Sequence, residues 1–310
     1  MRIKLSGYIT QKEAEKISDC ADNYAYSFSN HRFAISDGVT KSFFPKIWSR
    51  VLTDKFVALQ GAADLSIADC QAEWLQQVNK IVAALPEQMF YVHNAYNQRK
   101  SGLATLVTLR FDAKKWYAKA LGDSFLFFVP KRKNRFKDWI YLSSKYCSST
   151  PEPVVFDNYP DYYSSRGEKN GVEKEMNGKL EAGKFYLMTD ALAEWFIKEK
   201  EGAIKEIETW INQDVFEGRI TDLRHKGLLH NDDSSILIIE IENDGKEALT
   251  YKSASVQNKD DLLEIKEIKE VNQEKTETNA IEPKDRFRSL KNRFYSVKKK
   301  FLKTECVINN

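Results

Sequence analysis

Four aspartates in this chain share a setting that could do chemistry. Asp37, Asp123, Asp190 and Asp232 each stand at the end of an apolar, strand-like run or just before the next one. Small residues flank three of them: Ser36 and Gly38, Gly122 and Ser124, Thr189 and Ala191. Strand ends hold side chains accurately at the rim of a cleft. Carboxylates gathered there repel one another and call for cations. Oxygen donors without His or Cys suit Mg²⁺ or Mn²⁺ better than zinc. Two such ions about 3.5–4 Å apart activate a bridging water and clamp a phosphoryl group for in-line attack. The competing reading is local: an Asp after a strand is commonly a turn former or helix cap. Spacing alone leaves both readings open.

Other chemistries lack their residues. The four histidines (His31, His93, His225, His230) include no HExxH pair and offer no Ser-His-Asp arrangement. His225 and His230 lie near Asp232 in sequence but read as surface positions. The four cysteines, Cys20, Cys70, Cys147 and Cys306, form no CxxC, which excludes a zinc ribbon or disulfide framework. Cys147 lacks the surroundings of a phosphate-binding cysteine loop and reads as structural. There is no GxxxxGK[ST] and no strand-linked GxGxxG.

The elements that would position these aspartates follow from apolar periodicity. Phe33–Ser36 is a buried strand stopping at Asp37-Gly38. Ile47, Trp48, Val51, Leu52 and Phe56 give a helix over 46–60, and Trp74, Val78 and Val82 give another over 68–84. Leu103–Phe111 is a strand. Lys115–Leu121 and Ser124–Val129 read as a hairpin closed by Gly122-Asp123. Phe185–Met188 and Ile236–Ile241 complete the strands. Strands and helices in separate blocks predict an α+β layered domain. Residues 130–183 hold four of the seven prolines and read as a long irregular insertion, a lid or a solvated loop.

The order of these motifs resembles the metal-dependent protein phosphatases of the protein phosphatase 2C (PPM) family, in its bacterial-type branch. The match runs through Asp22-Asn23, Phe33-Ala34-Ile35-Ser36-Asp37-Gly38, Ser101-Gly102-Leu103-Ala104-Thr105 and Leu121-Gly122-Asp123-Ser124. It continues through Leu187-Met188-Thr189-Asp190-Ala191-Leu192 and Asn231-Asp232-Asp233-Ser234-Ser235-Ile236. Val39-Thr40-Lys41-Ser42-Phe43-Phe44 before Trp48 looks like the bacterial branch. The resemblance covers about residues 8–242.

It implies a four-layer α/β/β/α sandwich, two antiparallel sheets flanked by helices, with a two-metal site at one end. By the resemblance, Asp37 bridges both Mg²⁺ or Mn²⁺ ions and the Gly38 carbonyl binds one. Asp190 and Asp232 complete the shell of the other. Asp123 helps hold a third, weaker ion, and Asp22 holds metal-bound water. Asp233 rivals Asp232; the family's spacing to the following strand, here Ile236, favours Asp232. The implied activity is serine/threonine phosphoprotein hydrolysis by a metal-bridging hydroxide, with Asp37 and Asp22 as the catalytic residues.

Three positions depart from the family. Ala21 stands where Glu is common, Ile17 where a phosphate-holding Arg is common (Lys16 is adjacent), and Val39 where eukaryotic members carry His. They motivate an alternative, a catalytically weak pseudophosphatase that binds phosphoproteins or partners. Expected partners are a phosphoprotein substrate and a cognate serine/threonine kinase.

Charge divides the chain. Of 310 residues, 48 are basic and 45 acidic, a formal net of +3. Residues 1–243, the expected catalytic domain, hold 33 of each sign; 244–282 carry a net −4 and 283–310 a net +7. The 244–310 segment is expected to be a polar linker and a basic tail. Within 284–303, Phe287, Leu290, Phe294, Val297 and Phe301 line one face of a helix opposite nine Lys and Arg. That suits an anionic membrane face, a protein groove or the protein's own acidic cleft; the competing reading is a mobile charged tail with no dedicated partner. A neutral body argues against nucleic acid. Neither an apolar leader at Met1–Ser6 nor a run of 18 apolar residues is present, so the expected location is cytoplasmic, peripheral to the membrane through the tail.

Overall fold

A computed structural model describes residues 1–132, 135–148, 159–245, 248–256 and 262. In chain order the elements are β1 (Arg2–Thr10), β2 (Asn23–Ser27), β3 (Arg32–Ser36), α1 (Pro45–Ala58), α2 (Ile67–Ala84), α3 (Phe90–Asn97), β4 (Leu103–Ala104), β5 (Leu106–Phe111), β6 (Lys115–Leu121) and β7 (Phe125–Pro130). Then come β8 (Ile140–Leu142), β9 (Cys147–Ser148), β10 (Tyr163–Ser164), β11 (Lys174–Lys179), β12 (Gly183–Met188), α4 (Asp190–Glu199), α5 (Glu201–Ile207), α6 (Gln213–His225), β13 (Ser234–Glu242) and β14 (Thr250–Val256).

Alternation of side chains along the strands builds the layers. One sheet runs β14-β1-β13-β12-β7-β8-β9 and the other β11-β6-β5-β3-β2. Odd positions of β13 (Leu237, Ile239, Ile241) and β12 (Phe185, Leu187) meet Phe33, Ile35, Val107, Leu109 and Trp116 of the opposite sheet in a central core. Even positions of the same strands (Tyr186, Met188, Ile236) face outward against Leu192, Trp195 and Phe196 of α4 and Phe216 and Ile220 of α6. The outer face of the smaller sheet, through Ala34 and Leu106, is covered by Trp48 and Leu52 of α1 and Trp74 and Val78 of α2. Helix, sheet, sheet, helix: this is the four-layer α+β sandwich expected from the sequence.

Three local expectations are revised. First, Lys115–Leu121 and Ser124–Val129 are not a hairpin. β6 pairs with β5 and β11, whereas β7 pairs with β12 and β8, so Gly122-Asp123 carries the chain from one sheet to the other. Gly122 has φ +105°, and a Cβ there would lie 2.4 Å from Thr105 Cβ, so the crossing requires glycine. Second, Leu103–Phe111 is interrupted at Thr105. The short β4 pairs with β10 instead of continuing β5. Third, the 130–183 stretch is not irregular throughout: β8, β10 and β11 lie in it, and β11 forms the edge of the smaller sheet beside β6.

Residues 250–256 pair in parallel with β1 as an edge strand of the larger sheet, beyond the expected body boundary at 243. Leu262 is 3 % exposed within the central core. The basic helix expected over 284–303 lies outside the described residues. No helix among the described residues is long and apolar enough to cross a membrane.

Candidate metal centre

Each aspartate arrives on a different piece of the sandwich. Asp37 follows β3 of the smaller sheet. Its N–H donates to Thr105 Oγ1 at 3.1 Å, and its carbonyl accepts the Thr105 N–H at 2.8 Å. The loop beyond is stitched to the β4 segment: Gly38 bridges to Ala104, Val39 N–H donates to the Leu103 carbonyl at 2.9 Å, and Phe43 N–H to the Ser101 carbonyl at 2.9 Å. Gly38 is also needed sterically. A Cβ would meet the Ala21 carbonyl at 2.8 Å and the Pro45 carbonyl at 3.0 Å.

Asp123 sits on the crossing between sheets, next to Ser124, whose hydroxyl lies 2.7 Å from Thr105 Oγ1. Asp190 is the first residue of α4, at the end of β12. The Ala191 N–H donates to its Oδ1 at 2.6 Å, and a helix N-terminus favours a negative group there. Asp232 precedes β13 and is half-exposed, whereas Asp22, just before β2, is fully buried beside the hydroxyls of Ser235 and Thr189.

These carboxylates form one electrostatic cluster. Burial, then the charges of Asp22, Asp190, Asp123 and Asp232, hold the Asp37 carboxyl well above the usual carboxylate range. Burial and the charges of Asp123, Asp232 and Asp22 do the same for Asp190. Asp22 is pushed up to about 7 by burial and then by Asp233. Carboxylates that raise one another in this way are short of positive charge. The donors are all oxygen, so the cluster fits a hard divalent cation in kind. Among the described residues, however, no three carboxylate, imidazole or thiol groups stand close enough to make a ready ligand cage.

Asp233 has another task. Its carboxylate accepts the Ala21 N–H at 2.7 Å and the Lys12 N–H at 3.1 Å, tying the segment before Asp22 to the start of β13. Asp232 has no such backbone load from that segment. Arg224 clamps the same corner, donating to the carbonyls of Gln11 at 2.9 Å and Asp232 at 2.5 Å. His225 and His230 are exposed and pair with Glu13 (3.5 Å) and Glu194 (3.1 Å). Ile17 and Ala21 are buried apolar residues.

Sequence reasoning missed two supporting groups. Thr105 holds the Asp37 backbone. Lys12 was passed over, yet its ammonium lies 2.9 Å from Asp232 Oδ1 and 3.0 Å from Thr40 Oγ1. Neither residue carries a motif of its own. Only the antiparallel register of β1 with β13, which sets Thr10 opposite Ser234, shows that Lys12 must lie near Asp232.

Fold and cluster together define a layered sandwich with an acidic centre at one end of both sheets. No family model matches the sequence, and no curated protein matches it. Solved structures of similar shape include the serine/threonine phosphatase Stp1 from Staphylococcus aureus, at 14 % identity and TM-score 0.46, covering 77 % of this chain and 95 % of that one. The serine/threonine phosphatase PstP/Ppp of Mycobacterium tuberculosis is similar at 11 % identity and TM-score 0.45, covering 78 % and 99 %. RsbX, solved with magnesium, is similar at 14 % identity and TM-score 0.40, covering 77 % and 96 %.

Proposed function

We propose that the chain is a Mg²⁺- or Mn²⁺-dependent phosphatase acting on phosphoserine or phosphothreonine in proteins. The observation that carries this reading is the convergence of Asp22, Asp37, Asp123, Asp190 and Asp232, from the ends of strands in both sheets, into one mutually repelling cluster. Two bound divalent ions would supply an activated water and neutralise charge on the phosphoryl oxygens.

The chain's own residues do the rest. Asp37 would be the carboxylate shared by the ions, and the two hydrogen bonds that hold its backbone to Thr105 support that reading. The Gly38 carbonyl, Asp190 and Asp232 would complete the donors, and Asp123 would serve a further, weaker ion. Asp22 lies deeper, beside the Ser235 and Thr189 hydroxyls, and orients water on the inner side. The Asp233 contacts with Ala21 and Lys12 support Asp232 over Asp233 as the donor.

The test is turnover of a phosphothreonine peptide by the full chain with Mn²⁺, compared with Asp37→Asn. Mn²⁺-dependent release of phosphate that Asp37→Asn abolishes is expected. No turnover by the wild type, with Asp37→Asn indistinguishable from it, sinks the enzyme and leaves the pseudophosphatase.

A further inference from the structure

The approach of a phosphate dianion to a centre built from carboxylates poses an electrostatic problem. Bound divalent ions would neutralise part of the negative charge, but a phosphoryl oxygen entering here would still face the carboxylates of Asp37, Asp190 and Asp232. A cationic side chain at the rim solves this. Ile17 and Ala21 are buried and apolar and cannot provide it.

Lys12 is placed to do so. It follows β1, and its backbone is pinned by the Asp233 carboxylate. Its side chain is only 17 % exposed, and its ammonium spans two loops: Asp232 Oδ1 at 2.9 Å on one side and Thr40 Oγ1 at 3.0 Å on the other. Thr40 lies three residues beyond Asp37, so the ammonium sits between the loop carrying Asp37 and Gly38 and the loop carrying Asp232. An isolated surface ion pair would carry little meaning. This one is anchored at its backbone, mostly covered along its stem, and directed at a carboxylate of the cluster.

Resting on the phosphatase reading above, we propose that Lys12 is the residue that holds the substrate's phosphate. Its ammonium pairs with Asp232 as an internal counter-ion. Were Asp232 to hold a divalent cation, the Lys12 ammonium would lose this partner. Its pinned backbone and the Thr40 hydroxyl then keep it at the rim, where it donates to a phosphoryl oxygen. Lys12 is thus a competitor of the cation in one state and a partner of the substrate in the other. A purely structural lysine would be only the first of these.

The experiment compares full-length wild type, Lys12→Met and Lys12→Arg, with thermal unfolding as the folding control. Inorganic phosphate is titrated calorimetrically onto each Mn²⁺-saturated protein, and Mn²⁺ alone onto each metal-free protein. In Lys12→Met phosphate binding should weaken by about tenfold or more, the loss of one charge-assisted hydrogen bond. Mn²⁺ binding should tighten, because the competing ammonium is gone. Lys12→Arg, which keeps the charge, should recover phosphate binding at least in part. With a phosphothreonine peptide, the Lys12→Met defect should fall mainly on KM. Unchanged phosphate affinity in a folded Lys12→Met overturns the proposal, as does weakened Mn²⁺ binding. If the wild type binds Mn²⁺ and phosphate but turns nothing over, the enzyme reading fails while the calorimetry still decides the role of Lys12.

Discussion

Asp37 and Thr105 exchange two hydrogen bonds: the Asp37 N–H reaches Thr105 Oγ1 at 3.1 Å and the Thr105 N–H reaches the Asp37 carbonyl at 2.8 Å. The break between β4 and β5 is what frees Thr105 for this task. Thr105→Val keeps the shape and removes the hydroxyl. Loss of such a supporting bond typically costs about 10–100-fold in metal affinity or activity. We expect a loss of that order in Mn²⁺-dependent turnover, with unfolding stability lowered by about 1 kcal/mol. Unchanged turnover with unchanged Mn²⁺ affinity counts against a positioning role for Thr105.

Removing one negative charge from the cluster should relieve it. In the metal-free protein Asp37→Asn should raise the melting temperature, at ~2–4 °C per kcal/mol for a domain of this size. With saturating Mn²⁺ the order should reverse, because only the wild type gains from the ion. Differential scanning calorimetry with and without chelator reads both signs. A metal-free Asp37→Asn that melts below the wild type contradicts the repulsion.

The same repulsion sets a pH dependence. Asp22 is raised from 3.8 to about 7 in the folded chain, and Asp37 and Asp190 are also raised. Between these values the native state binds more protons than the unfolded one, so stability falls as pH rises. The contribution is full below about pH 4 and is lost as pH climbs through 7. In chelator the melting temperature should therefore drop from pH 5 to pH 8, and saturating Mg²⁺ should flatten the slope. A melting temperature that rises over that window in chelator would reject the cluster as drawn.

Gly122→Ala tests the crossing between sheets. The residue has φ +105°, and a Cβ would stand 2.4 Å from the Thr105 side chain and 2.9 Å from the Asp161 carbonyl. A strained backbone of this kind costs about 1–3 kcal/mol, before the steric overlap is counted. Chemical denaturation should show at least that loss. A variant as stable as wild type would mean that the crossing has another conformation.

Leu262 tests how far the folded body extends. It is 3 % exposed in the core between the sheets. Leu262→Ala should cost about 2–5 kcal/mol if that burial holds. An effect near zero would return the boundary to 243.

Much of the scaffold was legible because its strands are strongly apolar and end abruptly. Phe33–Ser36, Phe185–Met188 and Ile236–Ile241 fall within β3, β12 and β13, and the helices over 46–60 and 68–84 match α1 and α2 within two residues. Strand β1 was missed because its polar residues Lys4 and Ser6 dilute the apolar ones; antiparallel pairing with β13 compensates. β14 was hidden by its polar setting, since an edge strand gains its stability from the neighbour it pairs with. The false hairpin arose because a turn with glycine looks the same whether the chain doubles back or changes sheets. At the site, the aspartates were visible as strand ends. Lys12 and Thr105 were not, because their roles come from register and from a strand break.

The crossing at Gly122-Asp123 has a mechanical side. Asp37 follows a strand of one sheet, Asp190 and Asp232 flank strands of the other, and Asp123 lies on the turn that passes between them. A cation held by these groups would therefore be a cross-brace for the sandwich as much as a reagent. Breathing of the two sheets at this end would be throttled by the same event that readies the chemistry. Amide exchange at the last residues of β3 and β12 should then slow together when the ion enters, although those residues belong to different hydrogen-bond ladders.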